Sequence, residues 1–481
     1  MNSLLTDLRT ALGSQHVLTD PVELAPMLID NRGRWHGSAL CAVFPATTDE
    51  VAQIMRIARR YSALVFTQGG NTGNVAGATP VVKSADVCRS IIVSTKRMRK
   101  IESVDTLNDS IVVQAGVPVA VLRQAAADAD RLFALSLASD GTATVGGILA
   151  ANAGGVHVVR YGNAREQCLG LEAVLADGRV LNLMRGLRKD NTGYALKDLF
   201  IGSEGSLGII TRAVLKLHPL PADRSVLWLS LDSIHKVERV FEKMREVFGN
   251  ALSAFEIIHQ TPLERVAQVF PERLGTLNTS APWSALVELS YCTLEETQRS
   301  SPILETVLEQ FLEEGLLLDA VVAQNQSQCD ALWTIRETVP EAHKKTGGNV
   351  KHDVSVPRSS LACFVEKTNT MLKARFEWIE PSVFGHFGDG NLHYNMGVVP
   401  GFDPRLCFVF EKEINAIVYD QISAFNGSIA AEHGIGRMKR ELLEKTKPQI
   451  ELQLMRSIKR VLDPDNRLNP GAVIEPSDQN L

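Results

Sequence analysis

Gln68-Gly69-Gly70-Asn71-Thr72-Gly73-Asn74-Val75-Ala76-Gly77 decides how the first half of the chain is read. It follows Ala63-Leu64-Val65-Phe66-Thr67, an apolar, largely β-forming run that predicts a strand. Glycine lets the backbone take positive φ and lets its N–H groups come close to a phosphate. The residues from Gln68 to Asn74 supply several such amides at a strand end, which fits a pyrophosphate cradle. No Gly-Lys-Ser/Thr follows, so this is not a Walker loop. No G-x-G-x-x-G joins a strand to a helix here, so it is not the dinucleotide fingerprint either. A second glycine-rich region runs from Ser139 to Gly155, and a third, Gly202-Ser203-Glu204-Gly205-Ser206-Leu207-Gly208-Ile209-Ile210, enters a strand. Any one of these loops reads as an ordinary turn. Three in one half of a chain point to a cofactor.

Around these loops, strand-like and helix-like segments alternate. Thr47-Thr48-Asp49-Glu50 reads as a capping box, and Val51, Ile54, Met55 and Ala58 then recur at helical spacing. Ser110 to Val117 predicts a strand and Val119 to Ala127 a short helix. Prolines break the pattern at His218-Pro219-Leu220-Pro221-Ala222-Asp223, which predicts a domain boundary. Helical segments follow over Leu304 to Leu317 and Leu361 to Phe376, and Val461 to Gly471 is a turn-rich closing segment. No fixed-period repeat is visible.

At 481 residues the chain exceeds what one hydrophobic core usually serves, so two or more domains are expected. A hydrophobic content of 45% and a charged content of 22% fit a globular enzyme. The net charge of −5 has no basic stripe, which argues against nucleic acid as a partner. The seven cysteines are scattered with no C-x-x-C pair, which predicts a reducing compartment and neither a disulfide scaffold nor iron–sulfur ligation. The N-terminal Met1 to Arg9 reads as a short amphipathic helix rather than a signal peptide, and no apolar run is long enough to span a membrane. The expected location is cytoplasmic, with a peripheral membrane association left open.

In the second half, Gly385-His386-Phe387-Gly388-Asp389-Gly390-Asn391-Leu392-His393-Tyr394-Asn395 sets two imidazoles on either side of a glycine-rich turn. With Gly388 to Asn391 as a tight turn, His386 faces His393 and Phe387 faces Leu392, with opposed Cβ atoms about 5 Å apart. Two histidines so placed can share a metal. Glu432, in Ala431-Glu432-His433-Gly434-Ile435-Gly436, is a third candidate ligand. Two His and one carboxylate suit Zn²⁺, Mn²⁺ or Fe²⁺, with Co²⁺ as a substitute.

Taken together and in order, Gln68 to Gly73, Gly141-Thr142-Ala143-Thr144-Val145-Gly146-Gly147, Ala151-Asn152-Ala153-Gly154-Gly155, Arg160-Tyr161-Gly162 and Ile201 to Ile210 resemble the FAD domain of the vanillyl-alcohol-oxidase/PCMH flavoproteins. With Gly385 to Asn395, Glu432 to Gly436 and Leu468-Asn469-Pro470, the resemblance covers nearly the whole chain. It points to the branch holding D-lactate dehydrogenases, glycolate oxidase flavin subunits and D-2-hydroxyglutarate dehydrogenases, and Arg188 to Tyr194 leans toward the last. The resemblance implies an α+β fold. Its parts are a PCMH-type FAD-binding domain of two α+β subdomains over residues 1–220, an α+β substrate cap over 221–455, and a segment 456–481 returning to the FAD domain. The cofactor-binding residues implied are Gln68, Gly69, Gly70, Asn71, Thr72, Gly73, Asn74, Ser139, Gly141, Thr142, Gly147, Asn152, Gly154, Gly155, Ile209 and Asn469. Asn71 stands where a flavin-linking histidine often lies, which implies non-covalent FAD.

The activity implied is oxidation of a 2-hydroxy acid with hydride transfer to flavin N5. A divalent metal, Zn²⁺ above all, would act as Lewis acid. By resemblance its ligands are His386, His393 and Glu432, and His433 is the base, or alternatively a fourth ligand. Arg336, Lys351 and Asn395 contact the substrate alongside His433. Read alone, Arg336 is a surface partner of Glu337 or Glu341, Lys351 is solvated, and His352 is the residue of interest beside it. Pro340 stands where a hydroxyl residue is usual in the 2-hydroxyglutarate enzymes, which keeps D-lactate, D-malate and longer acids open. The alternatives are a D-lactate or glycolate dehydrogenase flavin subunit with an iron–sulfur partner, and a flavin protein without this turnover. Expected partners are an electron-transfer protein or quinone-linked acceptor, with a homodimer possible.

Overall fold

The computed structural model describes residues 3–347 and 349–476. The chain forms two compact units. One comprises Met1–Gly154, Asn163–Pro219 and Glu432–Leu481; the other comprises Gly155–Gly162 and Leu220–Ala431. The divisions therefore fall at Pro219/Leu220 and Ala431/Glu432, where the sequence reading placed them at 220/221 and 455/456. The later division moved for a local reason: the backbone N–H groups of Ile435 and Gly436 donate to the Glu204 carboxylate at 2.7 and 2.9 Å, inside the first unit. The short excursion was not foreseen. Within the second unit Arg160 Nη1 donates to the Ser290 carbonyl at 2.8 Å, and His157 Nε2 lies 3.1 Å from Glu288.

The first unit holds two α+β layers. Its four-stranded sheet runs Val17–Leu18, Cys41–Val43, Ser90–Ser94, Leu64–Gln68, with parallel pairing among the last three. The helix Thr48–Arg60 buries Val51, Ile54, Met55 and Ala58 in the core of this layer. Thr47 caps it, accepting from Glu50 N at 3.1 Å, but Glu50 reaches back to Ala46 N rather than closing the box on Thr47. The second layer is a five-stranded antiparallel sheet ordered Ile101–Asp105, Ser110–Gln114, Ile209–Lys216, Cys168–Val174, Val180–Leu183. The helix Val119–Ala127 spans the expected residues and packs on it with Val145, Ile148 and Leu149. Leu468 in the C-terminal segment bridges Val65 in parallel. At the N-terminus the helix is Ser3–Leu12; Met1 and Asn2 of the expected helix, and residues 477–481 of the closing segment, lie outside the described residues.

The second unit is built on a seven-stranded antiparallel sheet. Its order is Asp319–Val322, Asp223–Leu231, Trp283–Tyr291, Leu252–His259, Ile379–His386, Asn391–Val398, Asp353–Ser355. On one face lies the helix Gln326–Lys345, whose Leu332, Ile335, Val339 and Ala342 meet Ala254, Ile258 and Phe384. On the other, Phe241 of the helix Ile234–Phe248 meets Phe255 and Phe387 edge-on, and Tyr394 meets Phe364 of the helix Leu361–Arg375 at a tilt. The helix expected to start at Leu304 starts at Leu294. Thr293 and Glu296 form a reciprocal capping box there, and Pro302, exposed, is accommodated inside the helix instead of breaking it. Among the described residues no helix is long and apolar enough to cross a membrane, and all seven cysteines are free.

Candidate active site and flavin site

The hairpin carrying the two histidines differs from the expectation in register. The strands pair Phe384 with His393, Val383 with Tyr394 and Ser382 with Asn395, so His386 does not oppose His393. The turn is longer than foreseen: Phe387–Asp389 winds as a 3-10 turn and Gly390 closes it at φ 85. His386 instead opposes Glu256 on the neighbouring strand. The shift is by two residues, and side chains alternate with period two, so both imidazoles still project on one face. Their ring centroids are 5.5 Å apart at 77°. Gly385 is needed at the crossing. Its φ is +151, and a Cβ there would lie 2.7 Å from the Asn391 carbonyl.

Glu256, absent from the sequence reading, joins the metal candidates to the substrate candidates. Its carboxylate is fully buried. One oxygen takes the His386 Nδ1 hydrogen bond; the other accepts from Arg336 Nε at 2.7 Å. Burial alone would raise this carboxyl, but the charges of His386 and Arg336 hold it down to about 2. With Nδ1 engaged, His386 presents Nε2, the arrangement by which an outer carboxylate orients a metal-binding imidazole. The signal was present as an acid in the middle of the apolar run Leu252-Ser253-Ala254-Phe255-Glu256-Ile257-Ile258.

Arg336 is no surface ion pair with Glu337 or Glu341. It is 6% exposed, and its guanidinium sits 4.9 Å over the Phe384 ring. Its Nε is engaged by Glu256, and no described residue takes its two Nη groups. Asn395 lies on the same sheet face, buried, with no side-chain hydrogen bond among the described residues. His343, one helical period of seven past Arg336, also belongs here. Its Nε2 pairs with Ser382 Oγ at 2.7 Å while its Nδ1 is buried without a partner. Burial, then Arg265, Lys351, His393 and Arg336, push it down to about 3, so it is neutral. His352 is buried with Nδ1 2.8 Å from the Tyr394 carbonyl and Nε2 2.8 Å from Asn415 Oδ1, a structural role on both nitrogens. Lys351 is exposed. Glu432 and His433 open the last segment of the first unit, immediately after Ala431.

In the first unit the glycine loops meet each other. A Cβ on Gly70 would lie 2.0 Å from the Thr142 carbonyl, and one on Gly69 would lie 2.2 Å from Thr144 Oγ1. Gly73 and Gly141, by contrast, have nothing within 4 Å of that position. Gln68 and Asn71 donate to the Met27 and Ile29 carbonyls at 3.0 Å each, and Asn31 Nδ2 reaches Thr72 O and Asn74 Oδ1. These contacts fix the loop from one side. Ser139 O holds the second loop by accepting from Thr142 and Ala143 N–H. Asn152, left-handed at φ 50, ends the helix Val145–Ala151 after Gly147, and Ile209 is fully buried in its strand. Gly154 closes one stretch of this unit, and Gly155 begins the excursion into the other. Thr144 Oγ1 and Thr79 Oγ1 are buried without hydrogen bonds among the described residues. Open space at Gly73 and Gly141, and an unpaired Thr144 hydroxyl against Gly69, fit a loop that takes a bound dinucleotide.

Asn469 holds the closing segment in place. Its Nδ2 donates to Gly77 O at 2.7 Å and Glu204 O at 2.8 Å, and its Oδ1 accepts from Arg437 Nη2 at 2.9 Å. Desolvation pushes the carboxyl of half-buried Glu204 beside it up, against the pull of the two N–H groups it accepts. Lys459, also buried, donates to Ser206 O, Leu468 O and Asp463.

Comparison with known proteins identifies the family and the fold. The family described as "FAD linked oxidases, C-terminal domain" matches residues 220–473, and "FAD binding domain" matches residues 39–184. The chain is 38% identical over 459 residues to a mitochondrial D-2-hydroxyglutarate dehydrogenase of Bos taurus, covering 94% of this chain and 80% of that one. It is 32% identical over 479 residues to a D-2-hydroxyglutarate dehydrogenase of Xanthomonas citri pv. viticola, covering 98% and 97%. A solved structure of p-cresol methylhydroxylase superposes with a TM-score of 0.76 at 16% identity, over 100% of this chain and 98% of that one. An alkyldihydroxyacetonephosphate synthase superposes at 0.72 with 15% identity, over 98% and 84%. At such identity these two show the fold alone.

Proposed function

This chain belongs to the FAD-linked oxidase family, and on that premise we propose that it is an FAD-dependent dehydrogenase of D-2-hydroxy acids. D-2-hydroxyglutarate is the first substrate to test, because proteins named for it are similar over nearly the whole chain. The observation that carries the reading is the Arg336–Glu256–His386 array. It presents a buried guanidinium, with two Nη groups that no described residue takes, on the sheet face that bears His386, His393 and Asn395. A guanidinium fork matches a carboxylate in two places.

In this proposal Gln68 to Asn74, Ser139 to Gly147 and Asn152 to Gly155 line the FAD site, and Asn469 anchors the closing segment to Gly77 and Glu204. When bound, the flavin supplies the two-electron acceptor for the hydrogen leaving the substrate Cα. His386, His393 and Glu432 form the donor set for a divalent metal, which when bound supplies a Lewis acid. Arg336 and Lys351 hold carboxylate, Asn395 orients the substrate, and an imidazole nitrogen of His433 takes the hydroxyl proton. Histidine suits that step because its ordinary pKa lies near working pH. Asn71 offers no nucleophilic ring nitrogen, so the flavin is dissociable: acid precipitation should leave a yellow supernatant and a colourless pellet.

The test is stopped-flow reduction with D-2-hydroxyglutarate. The wild type bleaches its flavin, and His433→Ala keeps FAD and metal while bleaching about 10²–10⁴-fold more slowly. Loss of metal in that variant would make His433 a ligand. One observation favours a second reading. Pro340, one turn past Arg336, is exposed and offers neither hydroxyl nor N–H. A monocarboxylic acid such as D-lactate needs no donor there, and its preference over every diacid would establish the alternative, with electrons passing to a separate iron–sulfur partner.

A further inference from the structure

The strand Leu252–His259 pairs with Ile379–His386 only from Glu256 to Ile258. At Gln260 the chain turns into the helix Gln260–Val269, and on the facing strand Pro381 has no N–H to offer. The two segments splay, and a cavity of about 230 Å³ opens between them, lined by His259, Thr261, Asn369, Lys373, Glu380 and Pro381 among others. It lies on the face of the sheet opposite His386 and His393. Tyr394, which points to this face, donates its hydroxyl to Asn369 Oδ1.

The polar groups of the lining are biased toward donors. Lys373 has no carboxylate partner among the described residues. Asn369 has its oxygen engaged by Tyr394, so the donor group left on this lining residue is Nδ2. At His259, Thr261 N donates to Nδ1 at 3.3 Å, so the ring proton belongs on Nε2. Burial and then Lys373 push this imidazole down to about 4, so it is neutral and keeps that tautomer near pH 7. The one lining carboxylate, Glu380, is taken by Arg265. A cationic amine, an amide and an imidazole thus supply the polar part of a lining completed by Ile379, Pro381 and Val399, and its one carboxylate is already paired.

We propose that this cavity is a binding site for a small polyatomic anion, a carboxylate or a phosphate, distinct from the Arg336 site. Its volume is below the roughly 300–1,000 Å³ of drug-sized pockets, which restricts the occupant to a few heavy atoms. Occupancy neutralises Lys373 and completes the hydrogen bonding of Asn369 and His259. Because Asn369 holds Tyr394, and Tyr394 follows His393 on its strand, an anion here contacts the back of the strand that carries the histidine pair.

The experiment is isothermal titration of the FAD-loaded protein with succinate, inorganic phosphate and sulfate, beside two variants. Lys373→Gln removes the charge at an exposed position, leaves basal turnover unchanged, and should weaken anion binding about 10-fold or more. Arg336→Lys should leave that binding intact. A carboxylate ligand shows as saturable binding of succinate over phosphate, and a phosphate ligand shows the reverse. Equal binding in the wild type and Lys373→Gln overturns the proposal, as does loss of the signal in Arg336→Lys, which would assign it to the substrate site. Binding that does not saturate at millimolar anion also overturns it.

Discussion

The knot around Asn469 in the first unit and the sheet face around Arg336 in the second are both buried, polar and assembled from distant stretches of chain. They differ in how many of their groups are satisfied. Asn469 has both amide hydrogens and its oxygen engaged, and Lys459 makes three bonds. On the sheet face, Arg336 keeps two Nη groups, Asn395 its amide and His343 its Nδ1 without partners among the described residues. A buried polar group left unpaired costs about 1–3 kcal/mol. A fold carries that cost in one small area when something from outside completes it. The saturated cluster holds segments together, and the concentration of unpaired groups on the Arg336 face is what the proposed substrate site rests on.

Glu288 gives the strongest way to break the comparison, because it is a saturated cluster inside the second unit. It takes His157, Ser253, Trp333 and Arg224 while almost fully buried. Glu288→Ala strands these partners and should cost about 3–5 kcal/mol in chemical denaturation, with any activity loss proportional to unfolding. Burial acts to raise this carboxyl, and the His157 bond and charge, Ser253 and Arg224 bring it from 4.5 to about 2. The contribution is therefore complete above pH 4.5 and is lost as pH falls toward about 2. The wild-type melting temperature should drop more steeply across that window than that of Glu288→Gln.

Arg336→Lys probes the unsaturated face. It keeps the charge and loses the planar fork, so kcat/KM should fall about 10–100-fold with little change in melting temperature. An unchanged kcat/KM would place the clamp elsewhere. Asn469→Ala should do the opposite, lowering stability by about 1–3 kcal/mol as the carbonyls of Gly77 and Glu204 lose their donor; a change in flavin affinity with no change in stability would make it a ligand contact instead. The smallest effect on stability belongs to Gly73→Ala, whose Cβ meets nothing within 4 Å. It should melt within about 0.5 kcal/mol of wild type yet bind FAD more weakly, read by fluorescence titration of the apoprotein. Gly70→Ala, 2.0 Å from the Thr142 carbonyl, should lower both.

Local chemistry explains what was readable without coordinates. The helix Val119–Ala127, the strand after Gly208, the glycine loops and the histidine-bearing turn each follow from neighbours within a few residues, where propensity, capping and side-chain period act. The histidine pair stood out through its glycine-flanked turn, whereas Arg336 and Asn395 were named only through the family resemblance, since read alone Arg336 looked like a surface ion pair. Tertiary structure decided the rest. The hairpin register depended on a 3-10 turn and on a third strand that placed Glu256 opposite His386, 130 positions away. The excursion Gly155–Gly162 and the return at Glu432 are set by partners such as Glu288 and Glu204, which no local pattern names. Sequence carries periodicity and backbone freedom because these act between near neighbours. Register, domain membership and the pairing of a buried charge depend on groups that meet only when distant segments pack.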